Sequence, residues 1–200
     1  MADLSQARVL MLAADGFETV ELFKPRQALE EAGAKVTLAS LKSDPIQGME
    51  GDINKAETAT PDLTVDEVDT DDYDALVIPG GTCNPDKLRL NERAVEIVTE
   101  FMEDDKIVAA ICHGPWLLVE ANVVRGRTMT SYPSISTDVR NAGANWVDRE
   151  VVTDQGLVTS RKPDDLPAFN RKMIEEFAEG THRQRAEAEV DEDAYSLLEV

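Results

Sequence analysis

The chain has 200 residues and a mass of 22.0 kDa, enough for one domain whose core needs no disulfide or metal staple. Hydrophobic residues make up 42% and charged residues 30%, a globular composition that excludes disorder of the whole chain. The 40 acidic against 20 basic residues leave a net charge of −20, which argues against nucleic acid or an anionic membrane as partner, since both need a positive face.

The acids are spread along the chain, so a solvated acidic surface is favoured over a patch for a cationic partner. A salt-rich cytoplasm that screens self-repulsion would suit such a surface. The longest apolar runs, such as Val9–Ala14 and Ile107–Cys112, fall far short of the ~20 residues of a membrane span. MADLSQARVL lacks a basic segment followed by an apolar stretch, so a cytoplasmic location is expected. The two cysteines, Cys83 and Cys112, form no CxxC and join no zinc-type cluster. No cofactor and no metal are expected, and a reducing compartment fits.

Arg8–Ala13 is a short apolar run and predicts a buried strand. After the loop Asp15-Gly16-Phe17-Glu18, helical spacing runs from about Glu21 to Ala32, with Pro25 expected in the first turn and Gly33 as stop. Lys35–Ser40 predicts a second strand, which completes the strand–helix–strand pattern of a parallel sheet. Residues 42–73 are polar and Asp-rich, with stretches that could pair as a hairpin. Ala75–Pro79 predicts a strand that ends in Gly80-Gly81. Asn91 should cap a helix over about Glu92–Glu103, whose apolar side carries Ala94, Val95, Ile97, Val98 and Phe101. Lys106–Ile111 predicts a strand that runs into Cys112-His113-Gly114, and Pro115–Ala121 a helix. Thr128–Ser131 reads as a short strand and Ser134–Ala142 as a helix. Val147–Val152 and Leu157–Ser160 read as a hairpin. Asp164 or Asp165 should cap a last helix to about Glu179. Residues 1–180 therefore predict a three-layer α/β domain with a mainly parallel sheet, and residues 181–200 an acidic tail.

In such folds the site lies beyond the C-terminal ends of the strands. Three loops qualify, and they carry Glu18, Gly80-Gly81 and Cys112-His113. Ala110-Ile111-Cys112-His113-Gly114 sits between a strand and a helix, the context of a nucleophile elbow, with small residues two before and two after Cys112. The helix start behind Cys112 favours a thiolate. The amide of His113 and one from the Gly80–Gly81 turn could serve an oxyanion. A cysteine ending a buried strand can equally be a small hydrophobe, and Glu18 can be a helix N-terminal acid.

CHGPW, GR-x-x-TSYPS-x-x-x-D, NAGA-x-W-V-D and PDDLPAF occur here in order, preceded by FETVEL near residue 20 and VIPGG near residue 80. Over residues 8–179 the chain closely resembles the PfpI family of intracellular-protease-like proteins. That family belongs to the class I glutamine-amidotransferase-like superfamily, which also holds the Parkinson-disease-associated deglycase. The resemblance implies a flavodoxin-like sheet, Cys112 as nucleophile, His113 as base, and oxyanion donors at Gly81 and His113. It also implies that Glu18 bonds the sulfur and that Asp86, from a neighbouring subunit, completes a Cys–His–acid triad. Asp86 is one methylene shorter than the Glu that relatives often carry. A homo-oligomer, from dimer to hexamer, acting on a small-molecule or peptide substrate is the expected assembly.

The expected function is a cysteine-dependent, stress-protective hydrolase of glyoxal or methylglyoxal adducts, or of those aldehydes. Two alternatives use the same cysteine: an intracellular cysteine peptidase, and a non-enzymatic redox sensor or chaperone-like stress protein. Cys83 reads as an ordinary loop thiol or as a resolving partner for an oxidised Cys112. A glutaminase is disfavoured, because the only histidine downstream of His113 is His182, in the tail.

Overall fold

The computed structural model describes residues 3–180; the predicted tail and His182 lie outside them. Four strands form the centre of the sheet: β1 (Arg8–Leu12), β3 (Lys35–Ser40), β7 (Ala75–Ile78) and β8 (Ile107–Ile111). Their side chains point alternately to the two faces of the sheet. Val9 and Met11 of β1 enter one apolar cluster and Leu10 and Leu12 the other, so the run is apolar throughout because both faces are covered.

The seven-stranded sheet has the order β11-β12-β8-β7-β1-β3-β6, with β11 (Val151–Asp154), β12 (Leu157–Ser160) and β6 (Leu63–Thr64). All neighbours are parallel except β11 and β12. Helices α1 (Thr19–Glu31) and α6 (Leu166–Glu179) pack together on one face. Helices α2 (Cys83–Leu88), α3 (Glu92–Glu103), α4 (Pro115–Glu120) and α5 (Ser136–Asn141) cover the other. This is the flavodoxin-like three-layer arrangement expected from the sequence. Connections diverge on either side of β1, so the ends of β1, β7 and β8 open onto one crevice. No helix among the described residues is long and apolar enough to cross a membrane.

Several local expectations change. Pro25 lies in the second turn of α1 rather than the first, because the helix begins at Thr19; Pro25 has no N–H, so the Glu21 carbonyl receives no intrahelical bond from it. Residues 42–73 do contain a hairpin, β4 (Ile46–Glu50) with β5 (Asn54–Ala59), and β4 also pairs with the two-residue β2 (Phe17–Glu18). The strand expected over Val147–Val152 is displaced. Val147 donates to Met129 O, beside the short pair β9 (Thr128–Met129) and β10 (Asn145–Trp146), and Asp148 turns to Arg161. β11 therefore starts at Val151 and meets β12 through Gln155 and Gly156, both at positive φ (49° and 79°) as a tight two-residue hairpin requires. Asn91 caps α3 as expected, accepting from the Ala94 amide at 2.9 Å. Asp165 starts α6 but does not cap it with its side chain, because both carboxylate oxygens hold the Arg161 guanidinium.

One buried side chain joins two of the crevice loops. Asn84 is fully buried in α2; its Oδ1 accepts the Ala14 amide at 2.7 Å, and its Nδ2 donates to Pro79 O at 2.8 Å and Gly80 O at 3.2 Å. Replacing it with alanine orphans the Ala14 amide and the Pro79 carbonyl, while Gly80 O keeps the Glu18 amide as donor. Asn84→Ala should cost about 2 kcal/mol, seen in urea unfolding as a lower midpoint at unchanged slope.

Candidate active site

Cys112 follows β8 at φ 63°, a left-handed conformation that a non-glycine residue adopts only when its surroundings enforce it. Three bonds do so: the Cys112 amide donates to Ser160 O at 3.1 Å, its carbonyl accepts from the Tyr132 amide at 2.7 Å, and the Gly114 amide donates to Ile111 O at 2.9 Å. Small residues surround the turn for lack of room. A Cβ on Gly80 would stand 2.5 Å from Cys112 Cβ, and one on Gly114 would stand 2.8 Å from Ile78 O. The strand-to-helix elbow read from the sequence is therefore the geometry of this turn.

Cys112 is 6% exposed and lines a cavity of about 540 Å³. His113 Nδ1 is 3.3 Å from Cys112 Sγ, and His113 Nε2 is 3.1 Å from Ser134 Oγ. The imidazole stacks on Tyr132 at 4.7 Å between ring centres, with Trp116 tilted against it at 5.3 Å. Burial lowers the His113 pKa, which favours the neutral ring. When Nε2–H donates to Ser134, the Nδ1 lone pair faces the thiol, the tautomer a base needs. Ser134 was not singled out from the sequence; it sits in the SYPS segment, whose place beside His113 is set by the fold.

The carboxyl at the sulfur is Glu21, not Glu18. Glu21 is fully buried and its Oε2 accepts the Gly80 amide at 3.0 Å. Oε1 has no nitrogen or oxygen partner, and the carboxyl interacts instead with the Cys112 thiol. Burial, reinforced by the charge of Glu18, pushes the Glu21 pKa up to about 8. Glu18 lies one helical turn earlier, at the start of α1, and its Oε2 accepts the Gly51 amide at 2.9 Å. Burial raises its pKa too, against the lowering effect of the Gly51 bond. Glu18 is thus a wall of the crevice mouth. The sequence did hold a signal: Glu21 falls on the buried stripe with Leu22, Pro25 and Leu29, where an acid is anomalous.

The expected thiolate preference also changes. Burial raises the Cys112 pKa, and a negative Glu21 would raise it further; the amides of Gly81 and His113, both directed at the sulfur, pull it down. Two buried acids in contact cannot both ionise cheaply, so Cys112 and Glu21 lose their first proton as a pair. The Gly81 and His113 amides, expected from the sequence to serve an oxyanion, both interact with the Cys112 sulfur.

Asp86 is exposed on α2 and makes no hydrogen bond to His113 within the chain, where Ser134 takes the Nε2 side. Cys83 is exposed at the start of α2, and neither cysteine is in a disulfide. Among the described residues no three His, Cys, Asp or Glu side chains are grouped as a metal ion would need.

Glu21 links the site to stability. Its folded pKa of about 8 exceeds the ordinary 4.5, so between those values the folded chain holds a proton that the unfolded chain has released. Its contribution is full below about pH 4.5, falls as pH rises, and levels off above about 8. Across urea titrations from pH 5 to 8, Glu21→Gln should gain stability relative to the unmodified chain as pH rises. A difference independent of pH would contradict the shift.

The profile of the DJ-1/PfpI family matches residues 7–176. A deglycase of Pyrococcus abyssi is 49% identical over 84% of this chain and 97% of its own length. General stress protein 18 of Bacillus subtilis is 46% identical over 79% of this chain and 90% of its own. The crystal structure of Drosophila melanogaster DJ-1beta superposes with a TM-score of 0.78 at 29% identity, covering 99% of this chain and 98% of the other. With the elbow, the buried acid and the parallel sheet already placed by the coordinates, these matches establish that the chain belongs to the DJ-1/PfpI family.

Proposed function

We propose that this protein is a cysteine-dependent hydrolase that protects the cell from reactive aldehydes, acting on glyoxal or methylglyoxal adducts of amines or on the aldehydes themselves. The observation that carries this reading is the elbow itself: a strained Cys112 with a neutral His113 nitrogen 3.3 Å from its sulfur and two backbone amides aimed at the same point. That arrangement suits addition to a carbonyl carbon. The thiol proton passes to His113 Nδ1, the C–S bond forms, and the carbonyl π pair moves onto oxygen beside the Gly81 and His113 amides. With a free aldehyde, His113 then gives its proton to the oxygen and a neutral thiohemiacetal results. Where an amine is attached to the reacting carbon, the oxygen pair re-forms C=O as the C–N bond breaks, and His113 protonates the departing amine. Water then adds to the carbon and releases Cys112 as the C–S bond breaks. Glu21, kept protonated by burial, adds no negative charge to the floor of the pocket as charge develops there.

The names of the relatives agree with this direction. One is called a deglycase and another a general stress protein. A cytoplasmic homo-oligomer belongs to the same reading, because Asp86 could meet the Nε2 side of His113 only from a second copy, in place of Ser134. The −20 charge opposes such assembly, and salt screens it.

An activity panel in high salt tests the proposal: methylglyoxal consumption, release of adducts from modified amino acids, and cleavage of fluorogenic peptides. The first two should proceed, and Cys112→Ser should reduce both to background. Asp86→Ala should slow them without dissociating the oligomer. Peptide cleavage with untouched adducts would establish the peptidase instead. Full activity of Cys112→Ser would refute the nucleophile.

A further inference from the structure

We propose that Asp52, at the tip of the β4–β5 hairpin, is a positioning residue that fixes the Gly81 amide for oxyanion binding. This inference rests on the carbonyl-addition chemistry proposed above.

The Gly81 amide has to be held in place, because it lies in the irregular connection between β7 and α2, outside the hydrogen-bond ladder of any strand or helix. On one side the connection is set by close backbone contact. Gly81 adopts φ 79°, and a Cβ there would stand 2.3 Å from Gly16 O and 2.7 Å from the Glu18 amide nitrogen. The Glu18 amide donates to Gly80 O at 3.2 Å. On the other side the grip comes from Asp52. Its Oδ1 accepts the Thr82 amide at 2.7 Å and its Oδ2 accepts the Thr82 hydroxyl at 2.6 Å. Thr82 is the residue after Gly81, so its backbone and side chain are both clamped one peptide from the donor.

The clamp is anchored at its other end to the same site. β4 pairs with β2 through Phe17–Gly48 and Glu18–Met49, and the Thr19 hydroxyl donates to Met49 O at 2.9 Å. At the tip, the Gly51 amide donates to Glu18 Oε2. Asp52 itself stands at φ 63°, a conformation disfavoured for an ordinary side chain but tolerated by Asp. It spends both carboxylate oxygens on Thr82 although it lies on an exposed turn. The neighbouring Ile53 points to solvent at 83% exposure, so the tip is not held by apolar packing there. Two hydrogen bonds to one residue beside the oxyanion donor are what the hairpin contributes to the site.

These bonds need the shape of the side chain and not its charge. An asparagine amide can accept from the Thr82 amide through Oδ1 and donate to the Thr82 hydroxyl oxygen through Nδ2. The role is therefore separable from an electrostatic one. It is also separable from the intrinsic reactivity of Cys112. Alkylation by iodoacetamide forms the C–S bond as iodide leaves, without an oxyanion, whereas addition to methylglyoxal places negative charge on the carbonyl oxygen.

The test compares the unmodified protein with Asp52→Ala and Asp52→Asn by three readouts. These are the iodoacetamide rate at Cys112, kcat and KM for methylglyoxal, and hydrogen exchange over residues 80–84. Asp52→Ala should lower kcat roughly tenfold with KM and alkylation changed by less than about twofold. It should also speed exchange in that segment. Asp52→Asn should restore most of the rate and the protection. Unchanged kcat in Asp52→Ala, or a loss as large in Asp52→Asn as in Asp52→Ala, would overturn the proposal. If the unmodified protein does not consume methylglyoxal, the proposed substrate is wrong and exchange alone decides. Faster exchange in Asp52→Ala with protection kept in Asp52→Asn supports the clamp, and unchanged exchange overturns it.

Discussion

A carboxyl group buried between two loops is the constraint on which this site depends. Glu21 comes from α1, accepts the amide of Gly80 after β7, and lies against the thiol of Cys112 after β8. One side chain thus ties together three segments that the topology brings only to the same end of the sheet. Removing a carboxylate from water is costly, and the chain avoids the cost by keeping the group protonated, with a pKa of about 8. The proton fits the local geometry: one oxygen accepts from Gly80, the other has no nitrogen or oxygen partner, and the carboxyl as a whole interacts with the Cys112 side chain.

The rest of the floor follows from the same exclusion of water. His113 is kept neutral by burial and oriented by Ser134, so the pair at rest is a thiol beside a base rather than a stabilised ion pair. The Gly81 and His113 amides point at the sulfur, and under the carbonyl-addition chemistry proposed above they would stabilise the charge that develops there. Strain at Cys112 is the structural cost of bringing sulfur and amides together, and the bonds to Ser160 and Tyr132 offset it.

Much of this was legible in the sequence, and the misses have physical reasons. The central strands were visible because both faces are covered, which leaves short runs apolar throughout, as in Val9–Leu12 and Ile107–Ile111. The elbow was visible because steric crowding restricts it to small neighbours such as Gly114. The sequence does not separate Glu18 from Glu21, because both acids stand in one FETVEL segment, one helical turn apart; only the direction of α1 decides which one faces inward. Asn84, Asp52 and Ser134 could not be read from spacing. Their partners lie 70, 30 and 21 residues away, and polar residues in loops have no periodicity to betray a contact. Helix α2 was missed because six residues containing Pro85 give no helical pattern.

The most direct test of this account is the protonation state of Glu21, read by infrared difference spectroscopy of the carboxylic-acid C=O stretch across a pH titration. The account predicts a protonated band that persists at pH 7, titrates with a midpoint near 8, and is absent from Glu21→Gln. A carboxyl that has already ionised by about pH 6, close to the ordinary range of a glutamate, would contradict it.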